Sequence, residues 1–457
     1  MKNLTMDKLV AHCKNTGILY PGSDIYDGLA NTWDYGPVGV ELKNNIKRVW
    51  WKRFVQESEN SYGVDAAIMM NPRVWEASGH VQSFTDPKMD CKSCKSRMRA
   101  DTLIENFSKG SVDVDAMTND EMQDYINEHK IKCPVCGNFD WTPIRQFQLM
   151  FKTSRNITGD SNDVIYLRPE TAQGEFVNFM NIQRTTRAKV PFGIAQVGKA
   201  FRNEITPGNF TFRTIEFEQM EHQWFCKNEE EGFKYYKEYK DKAWQFLLDI
   251  GFNKDDLKFK DHEKLAHYAK AATDIIFNFP FGWNELNGIH YRTDYDLRRH
   301  QEYSGKNMMY IDPVTNEKYI PHDVEYSIGA DRLTLAILCE FYDEETLENG
   351  ETRIVYHFHP AIAPYKVAVL PLQKNMSEKA KEILKKLSKH FMCTYDESGS
   401  IGKRYRRQDQ IGTPYCVTID FETLENETVT IRDRDTMEQK RVSIDELINF
   451  VKDKIEF

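Results

Sequence analysis

The 457-residue sequence contains no long hydrophobic run. A helix that crosses a bilayer needs about 18 or more consecutive apolar residues, and the chain has no such stretch. The opening segment, MKNLTMDKLVAHCKN, also lacks the apolar core of a secretory signal. These absences argue against a membrane partner and predict a cytoplasmic location.

Repeats, low-complexity tracts and nuclear-type basic runs are absent as well. What remains has an ordinary composition for a soluble protein, with 40% hydrophobic residues and a formal net charge of −9. A chain of this length can bury substantial cores and is expected to divide into two or three domains.

A disulfide framework is not expected, because the nine cysteines are odd in number and follow no secretory signal. Two CxxC pairs, Cys91/Cys94 and Cys133/Cys136, have the spacing of a tetrahedral structural Zn²⁺ site. The charged segment between them, with a short helix predicted near residues 119–129, is too small to fold without the metal. A redox pair or unligated buried thiols are the alternatives. The other cysteines lie in apolar patterns and are predicted core residues: Cys13, Cys226, Cys339, Cys393 and Cys416.

The segment VGKAFRNEITPGNFTFRTIEFEQMEHQWF, residues 197–225, predicts a β-hairpin. Residues 193–204 and 212–225 alternate as strands do, and Pro207, Gly208 and Asn209 between them favour a turn. Side chains of a strand alternate between its faces. One space would therefore receive Arg202 and Glu204 from the first strand, and Arg213, Phe217, Gln219 and Glu221 from the second.

That combination of side chains is typical of a site that binds ATP next to an amino acid. A guanidinium group binds phosphate, an aromatic ring stacks on a purine, and a carboxylate attracts an ammonium group. Cross-strand ion pairs on a solvated surface are the alternative. A second motif favours the site: EYSIGADR, residues 325–332, leads into an apolar helical pattern and places Ser327, Gly329 and Arg332 at a strand-to-helix junction.

The pair FRNE and RxxEFxQxE resembles motif 2 of the class II aminoacyl-tRNA synthetases, and the later ExSxGxDR resembles motif 3. The exact residues within these motifs are most similar to those of the glycyl type. Further similar runs follow in the family's order: WEASGH from Trp75, LRPETAQG from Leu167, GWNELNG from Gly282 and RYRRQDQIGTP from Arg404. The resemblance covers nearly the whole chain. It implies a glycine-tRNA ligase that activates glycine with ATP and transfers it to the 3′ end of tRNA(Gly).

The implied fold class is an α+β catalytic domain built on an antiparallel sheet, with a zinc-knuckle insertion and a C-terminal α/β anticodon-binding domain. The catalytic domain is expected at residues 1–360, with the insertion at about 88–145, and the anticodon-binding domain at 361–457. No additional editing-sized domain is evident between the motifs. None is needed, because every competitor of glycine is bulkier and must overpack its pocket.

Residues 33–55 predict a long helix after a Gly/Pro loop, and residues 64–70 predict an apolar strand that stops at Asn71 and Pro72. Helix, strand and terminal proline resemble motif 1, which implies a homodimer formed through this region. An ordinary core helix fits the composition equally well. The apolar members of the predicted helix are Val40, Leu42, Ile46, Val49, Trp50 and Phe54.

The resemblance assigns the ATP site residue by residue. Arg202 would hold the α-phosphate and stabilise the transition state, and Arg213 and Arg332 would hold the γ-phosphate of a bent ATP. The adenine would lie between Phe217 and the guanidinium plane of Arg332, which is the second implied catalytic residue. Other implied contacts come from Asn203, Glu204, Phe212, Glu285, Leu286 and Gly329. Glu285 is also the implied Mg²⁺ ligand, and its alternative is a strand-end salt bridge.

Glycine has no side chain to hold, so its recognition must depend on the ammonium group and on a lack of space beside the α-carbon. The positions that match the family here are Glu170, Glu221, Glu325 and Ser327. Arg99 matches a further substrate contact, with a surface arginine as the alternative.

The C-terminal hundred or so residues alternate strand and helix patterns, beginning with a strand at 366–370 and a helix at 377–391. They resemble the anticodon-binding domain of several class II synthetases. A basic cluster lies within this module, comprising Lys403, Arg404, Arg406 and Arg407 with Tyr405 among them. It is expected to meet tRNA, with a solvated helix face as the alternative.

Two other functions remain open from the sequence. A sister synthetase for another amino acid is disfavoured by the three glutamates Glu170, Glu221 and Glu325. A catalytically inactive, synthetase-like binding subunit would lack the phosphate-binding arginines, which are present here.

Overall fold

The computed structural model describes residues 4–109, 111–114, 117–154, 164–204, 208–266 and 268–457. Among these residues no helix is both long and apolar enough to span a membrane. The predicted turn at Pro207 falls partly outside them. The described part of that turn has Asn209 and Phe210 in the left-handed region, with φ of 53° and 61°.

The α-helices of the described residues are α1 (Met6–Thr16), α2 (Pro37–Trp51), α3 (Arg73–Ala77), α4 (His80–Ser83), α5 (Ala100–Ser108), α6 (Asn119–Glu128), α7 (Ala172–Thr186), α8 (Glu229–Ile250), α9 (Tyr295–Ser304), α10 (Ala330–Glu340), α11 (Ser377–Leu387), α12 (Ile401–Asp409), α13 (Phe421–Asn426) and α14 (Leu447–Ile455).

The strands are β1 (Leu19–Pro21), β2 (Trp33–Tyr35), β3 (Ser61–Gly63), β4 (Thr85–Asp90), β5 (Arg97–Arg99), β6 (Arg145–Gln148), β7 (Lys152–Ser154), β8 (Val164–Tyr166), β9 (Phe192–Phe201), β10 (Glu216–Cys226), β11 (Leu257–Asp261), β12 (Ala271–Phe279), β13 (Gly282–Thr293), β14 (Tyr310–Ile311), β15 (Lys318–Tyr319), β16 (His322–Gly329), β17 (Tyr342–Thr346), β18 (Thr352–Tyr356), β19 (Val367–Pro371), β20 (Cys393–Tyr395), β21 (Tyr415–Ile419), β22 (Thr428–Asp433) and β23 (Gln439–Ser443).

A seven-stranded sheet organises the first three quarters of the chain, in the order β11-β12-β13-β16-β10-β9-β3. Neighbouring strands are antiparallel, except that β3 runs parallel to β9. This is the expected antiparallel sheet, with one parallel strand at its edge.

The two faces of this sheet differ because polar and apolar residues alternate along its central strands. The apolar set Met220, Ile289, Val324, Tyr326 and Ile328 is buried in the largest core, together with residues of α2, α8 and α10. The opposite face carries Glu221, His290 and Glu325. Along β9, β10 and β16 the alternation was readable from the sequence, and it decides which side chains face the site.

The predicted insertion contains the three-stranded sheet β5-β4-β6 with α5 and α6. The helix expected near 119–129 is α6. Thr118 caps it, accepting a hydrogen bond from Glu121 N, while the Glu121 carboxylate accepts one from Thr118 N. A small core of its own, including Met89, Leu103 and Ile126, lies behind the CxxC pairs.

The C-terminal module is a five-stranded mixed sheet in the order β20-β19-β21-β22-β23. Its first three strands in that order are parallel and the last two are antiparallel to their neighbours. The predicted strand at 366–370 is β19, and the predicted helix at 377–391 is α11, which ends earlier, at Leu387.

Two of the predicted elements need correction. The apolar strand expected at 64–70 is not a strand, because β3 ends at Gly63 and only an isolated bridge joins Met69 to Leu167. A side chain bonds part of this backbone instead, since the Ala66 carbonyl accepts a hydrogen bond from Arg168 Nη1 at 2.8 Å.

The hairpin is also shorter than predicted. Residues 202–204 and 212–215, which were predicted as strand, belong instead to the loop between β9 and β10. Of the predicted motif 1 helix, Leu42, Ile46, Val49, Trp50 and Phe54 are buried, whereas Val40 is 39% exposed.

Candidate active site

A polar cavity of about 290 Å³ opens on the polar face of the seven-stranded sheet. Its walls come from β10, β13 and β16, the loop after β9 and the start of α10. The predicted site residues that line it are Glu170, Arg202, Glu204, Phe212, Arg213, Phe217, Glu221, Glu285, Leu286, Glu325, Ser327, Gly329 and Arg332. The fold therefore brings the residues expected to meet ATP and those expected to meet glycine into one space.

Strand register sets the spacing at the carboxylate end of the cavity. Glu221 on β10 lies opposite Ser327 on β16, and the Ser327 hydroxyl donates to Glu221 Oε1 at 2.9 Å. Gln219 Nε2 donates to the same oxygen at 3.1 Å, and the Thr171 hydroxyl donates to Oε2. Burial, with the nearby charges of Glu325 and Glu170, raises the pKa of Glu221 to about 7.

Glu325 has the opposite electrostatic environment. Its carboxylate accepts hydrogen bonds from His290 Nδ1 at 2.8 Å and Arg292 Nη1 at 3.1 Å. Burial opposes ionisation, but Arg292 and His290 outweigh it and lower the pKa of Glu325 to about 2. Glu325 is therefore an anion at neutral pH, whereas Glu221 is close to half-protonated.

Glu170 completes this end of the cavity. Its Oε2 atom lies 3.3 Å from His80 Nε2, and its Oε1 atom accepts from Gln173 Nε2 at 3.0 Å. Burial raises its pKa, but the influence of His80 and Arg292 is larger and brings the pKa well below the usual range. The pocket thus contains two ionised glutamates, Glu170 and Glu325, and one glutamate, Glu221, whose pKa lies near neutral pH.

The other end of the cavity carries the guanidinium groups. Arg202 Nε donates to the Pro169 carbonyl at 3.0 Å, and its guanidinium carbon lies 5.3 Å and 5.4 Å from the rings of Phe84 and Phe217. These contacts fix the arginine in place, and no carboxylate of the described residues forms an ion pair with it. Such an arrangement leaves its charge available to an anion.

Arg332 lies at the first turn of α10, directly after β16. Its guanidinium carbon is 4.4 Å from the centre of the Phe212 ring, and Nη1 is 3.0 Å from Glu285 Oε1. Arg332, ahead of burial, is the main cause of the lowered pKa of Glu285. The Glu285 side chain is about half exposed, so a carboxylate oxygen remains within reach of solvent.

The remaining residues predicted to contact the nucleotide differ in whether they line the cavity. Arg213 lies 3.8 Å from Glu204 Oε2 and is 38% exposed. Asn203 does not line the cavity, and its backbone N–H donates to the Leu149 carbonyl at 2.8 Å. The ring that pairs with Arg332 is Phe212, whereas Phe217 lies beside Arg202.

Arg99 also lies outside the cavity lining. Its Nη2 atom donates to Asp101 Oδ2 at 2.7 Å, and Nη1 lies 3.1 Å from Asp86 Oδ2. The guanidinium group is therefore held by two carboxylates, one of them just before the insertion and one within it.

Some cavity residues were missed in the sequence. His290 and Arg292 hold Glu325, and Tyr268 lies under Arg292, whose guanidinium carbon is 4.1 Å from the ring centre. The signal was present in GIHYR, where Gly288, His290 and Arg292 alternate with apolar residues. Further lining residues that were not anticipated are Thr211, Thr214 and Asp331.

The four predicted zinc cysteines converge, with all their sulfur atoms within 4.8 Å of one another. The Cys91–Cys136 and Cys94–Cys133 Sγ distances are both 3.7 Å. Thiolates arranged tetrahedrally at a Zn–S distance of about 2.3 Å would lie about 3.8 Å apart, so the donor set fits the metal.

The two knuckles also have the same backbone geometry. In each, the first cysteine's carbonyl accepts from the residue four positions on, Lys95 or Gly137, at 2.8 Å. Both of these residues have positive φ, 63° and 73°. Repetition of one tight turn aims the two sulfurs of each pair at a common point.

The basic cluster lies on α12, but its members differ in exposure. Arg404 is 3% exposed, and its Nη1 atom donates to the Pro371 carbonyl at 2.5 Å. Arg407 is 44% exposed and pairs with Asp396, while Arg406 is partly exposed and Lys403 is exposed. Tyr405 is partly buried and its hydroxyl lies 2.7 Å from Thr418 Oγ1.

The chain is similar over nearly its full length to proteins of one name from several bacteria. Residues 366–454 match the family described as "Anticodon binding domain". The chain is 61% identical to the "Glycine--tRNA ligase" of Clostridium kluyveri over 461 aligned positions, covering 99% of both chains. It is 59% identical to the protein of that name from Clostridium acetobutylicum, covering 99% of both, and 60% identical to that from Geobacillus kaustophilus, covering 99% of this chain and all of the relative. At this identity and coverage, the chain belongs to the glycine–tRNA ligase family of aminoacyl-tRNA synthetases.

Proposed function

We propose that this protein activates glycine with ATP and transfers the glycyl group to the 3′ end of tRNA(Gly). The observation that carries the proposal is the single cavity in which Glu170, Glu221 and Glu325 face the same space as Arg202 and Arg332. The first group suits an ammonium ion and the second suits phosphates. Such a chain supplies protein synthesis, for which the cytoplasm is the proposed location.

In the first step a carboxylate oxygen of glycine attacks the α-phosphorus of ATP. The new O–P bond forms as the bond to the α–β bridging oxygen breaks, releasing pyrophosphate and leaving glycyl-adenylate. The α-carboxyl group has an ordinary pKa of about 3.5, so it is already an anion and needs no general base. A terminal ribose hydroxyl of tRNA then attacks the glycyl carbonyl, and AMP leaves.

The work of the protein is to bring two mutually repelling anions into contact. Arg202 is proposed to hold the α-phosphate, and Arg213 and Arg332 the γ-phosphate. Their order along the structure supports this, because Glu325, Ser327 and Gly329 follow one another on a face of β16 and Arg332 comes directly after them. The carboxylates and guanidinium groups are thus at successive levels of one cavity.

For the adenine we propose a position between Phe217 and Arg332, with Phe212 on the other side of Arg332. Asn203, Glu204, Leu286 and Gly329 are proposed as further nucleotide contacts. Glu285 is the proposed Mg²⁺ ligand, since its half-exposed carboxylate stands beside Arg332. When bound, Mg²⁺ supplies positive charge to the phosphates.

Glycine is proposed to bind with its ammonium group among Glu170, Glu221, Glu325 and Ser327. Residues beneath the carboxylates are closely hydrogen-bonded, as Thr171 and Gln219 are to Glu221. A substrate side chain would have to displace those contacts. Arg99 remains a proposed substrate contact, which would require it to exchange Asp86 or Asp101 for the substrate.

We propose the same domain organisation as the sequence predicts, with catalytic residues at 1–360, the insertion at about 88–145 and the anticodon-binding module at 361–457. Zn²⁺ in the insertion is proposed to be structural. Its four-cysteine donor set leaves no open position for a substrate, and a separate small core surrounds it.

A homodimer through the motif 1 region is also proposed. Apolar side chains are exposed in and before α2, which supports an interface there. They are Tyr20, Ile25, Tyr26, Leu29 and Val40. Contiguous exposed apolar side chains are typical of association surfaces.

For tRNA we propose contact through Lys403, Arg406 and Arg407 on α12. Arg404 is left out of this surface, because its guanidinium group is buried against backbone carbonyls. The buried Arg404 side chain instead connects α12 to the end of β19, through its hydrogen bond to the Pro371 carbonyl.

ATP–pyrophosphate exchange tests the function directly. We expect exchange with glycine and none with the other proteinogenic amino acids. Arg202→Ala should reduce glycine-dependent exchange by about 10²–10³-fold, since it removes one positive charge from the transition state. Arg184→Ala, an exposed arginine on α7, is the matched control. Exchange at the normal rate in Arg202→Ala would refute the assigned role, and exchange with another amino acid alone would refute the proposed substrate.

A further inference from the structure

A second cluster of metal-binding side chains lies beside the cavity, on the edge of the sheet formed by β11, β12 and β13. His262 directly follows β11, Asp274 lies on β12 and His290 lies on β13. One ligand atom from each lies within 4.8 Å of the other two. None of these residues is needed to explain the binding of ATP, and only His290 lines the cavity.

The side chains converge because of the sheet register. His290 lies opposite Ala272, and Asp274 lies opposite Gly288, so the two side chains project from the same face two positions apart. His262 N donates to the Ala272 carbonyl at 3.0 Å, which brings its ring to the same edge. Its Nε2 atom is 2.8 Å from Asp274 Oδ2.

Gly288 provides the space in which they meet. A Cβ atom at this position would lie 3.1 Å from His290 Nε2 and 3.5 Å from Asp274 Oδ1. The Nε2 atom of His290 and the Oδ1 atom of Asp274 therefore approach the same small volume above Gly288, which has no side chain.

His290 is also oriented as a metal-binding histidine would be. Its Nδ1 atom is hydrogen-bonded to Glu325 Oε1 at 2.8 Å, which leaves Nε2 as the outward nitrogen. Metal-ligating histidines almost always donate their other N–H to a carboxylate or carbonyl, and this contact fixes the tautomer and the ring orientation. Glu325 provides that contact here.

The surrounding charge favours a cation. Asp274 is the anionic member, and Glu285 is close enough to contribute to the raised pKa of Asp274, behind the larger effect of burial. Arg292 is the opposing positive charge near His290, but two carboxylates, those of Asp296 and Glu325, already pair with it.

We propose that His262, Asp274 and His290 form a binding site for a divalent first-row transition-metal ion. Two imidazoles and one carboxylate are a donor set suited to Zn²⁺, Co²⁺ or Ni²⁺ and unlike the all-oxygen set that Mg²⁺ prefers. The exposed His262 ring closes the site by a small rotation onto an ion held between the other two side chains. The site is separate from the four-cysteine cluster and from the proposed Mg²⁺ ligand Glu285.

The test uses Co²⁺ and the full-length protein, without a histidine tag and with zinc already bound at the cysteines. Titration followed by calorimetry and visible absorption should reveal one added equivalent of Co²⁺ without the intense sulfur-to-metal bands of a cysteine site. His262→Ala and Asp274→Asn should each weaken binding by more than about tenfold. Both positions lie at the sheet edge, and circular dichroism would verify that the variants are folded.

His357→Ala is the matched control, because His357 belongs to another cluster of potential ligands, with Asp343 and Glu345. Unchanged Co²⁺ binding in this variant, with loss in the other two, would support the proposed site. Equal binding by the normal protein and His262→Ala, or loss of binding in His357→Ala, would overturn it. So would the absence of a bound equivalent. Because the measurement is of binding alone, its failure leaves the proposed glycine activation untouched.

Discussion

At the scale of single residues, three glutamates of one pocket differ in ionisation because their partners differ. Arg292 and His290 keep Glu325 ionised, and His80 does so for Glu170, whereas the donors Thr171, Ser327 and Gln219 that bond to Glu221 are neutral. Burial and like charge therefore raise the pKa of Glu221 to about 7. Of the three glutamates, Glu221 is therefore the one whose charge changes near neutral pH.

We expect the KM for glycine to rise as the pH falls through about 7. Protonated Glu221 no longer attracts an ammonium group, and the change can reach tenfold for each pH unit below the pKa. Pyrophosphate exchange at varied glycine concentration, between about pH 6 and about pH 7.5, measures this. Glu221→Gln should have a high KM that no longer depends on pH in this range, and a flat profile in the normal protein would contradict the prediction.

The same raised pKa has a consequence for stability. A carboxyl group whose pKa is higher in the folded state than in the unfolded state stabilises the fold below the unfolded pKa, and loses that contribution as the pH rises through the folded value. Without substrate, the contribution of this group to the free energy of unfolding should therefore fall as the pH rises from about 4.5 to about 7, and level off above that. Bound glycine adds an ammonium group beside the ionised Glu221 and offsets this loss.

At the scale of elements, the segment that carries the four clustered cysteines has a small core of its own. The small core behind them includes Met89, Leu103, Ile104, Ile126 and Trp141, too little apolar area to stay folded unaided. A Zn²⁺ ion bound by the four cysteines would hold the two ends of the insertion together where Cys91 meets Cys136.

We expect Cys133→Ser to release zinc and make residues 88–145 sensitive to proteolysis, since loss of one ligand removes the cross-link. Metal analysis and limited proteolysis followed by mass spectrometry measure both effects. Cys393→Ser, a cysteine outside the cluster, should retain zinc and resist cleavage. If residues 88–145 of Cys133→Ser resist proteolysis as well as those of the normal protein, the small core of the insertion folds without metal.

Helix α12 carries both a structural arginine and exposed basic residues. Arg404→Met removes the bond to the Pro371 carbonyl and leaves a buried acceptor unpaired, at a cost of about 1–3 kcal/mol. We expect this variant to lower the free energy of unfolding, measured by denaturant titration.

Lys403→Ala with Arg407→Ala should instead raise the KM for tRNA in the charging reaction while glycine-dependent exchange continues. If the double variant charges tRNA normally, the proposed surface is wrong.

At the scale of the whole molecule, the two modules share a buried junction. Lys366 Nζ donates to the carbonyls of Pro360, Ala361 and Ala363 at 2.9, 2.6 and 2.8 Å. Asn45 of α2 donates to the same Ala363 carbonyl at 2.8 Å. The junction is therefore a fixed connection between the large sheet's helices and the C-terminal module.

We expect Lys366→Met to destabilise the junction by about 2 kcal/mol or more, because buried carbonyls lose their donor. The melting temperature from calorimetry measures this. Lys385→Met, an exposed lysine on α11, should stay within about 0.5 kcal/mol of the normal protein. An unchanged melting temperature in Lys366→Met would indicate that other donors replace the lysine.

The sequence alone determined the family, the cysteine spacing and the face on which Phe217, Gln219 and Glu221 lie. These follow from local order, since strand alternation and motif spacing are properties of neighbouring residues. It predicted a strand at 64–70 that is not formed, where the Arg168 side chain bonds the Ala66 carbonyl. It also made both hairpin strands too long, because β9 ends at Phe201 and β10 begins only at Glu216.

Only the tertiary structure decided which charges are paired. Arg404 and Arg407 are three residues apart and equally basic, but one is buried against carbonyls and the other is exposed. Likewise, Glu325 meets His290 and Arg292 only through the register of β13 with β16. A sequence specifies which groups are present, whereas their ionisation and availability depend on partners that the fold brings from distant parts of the chain.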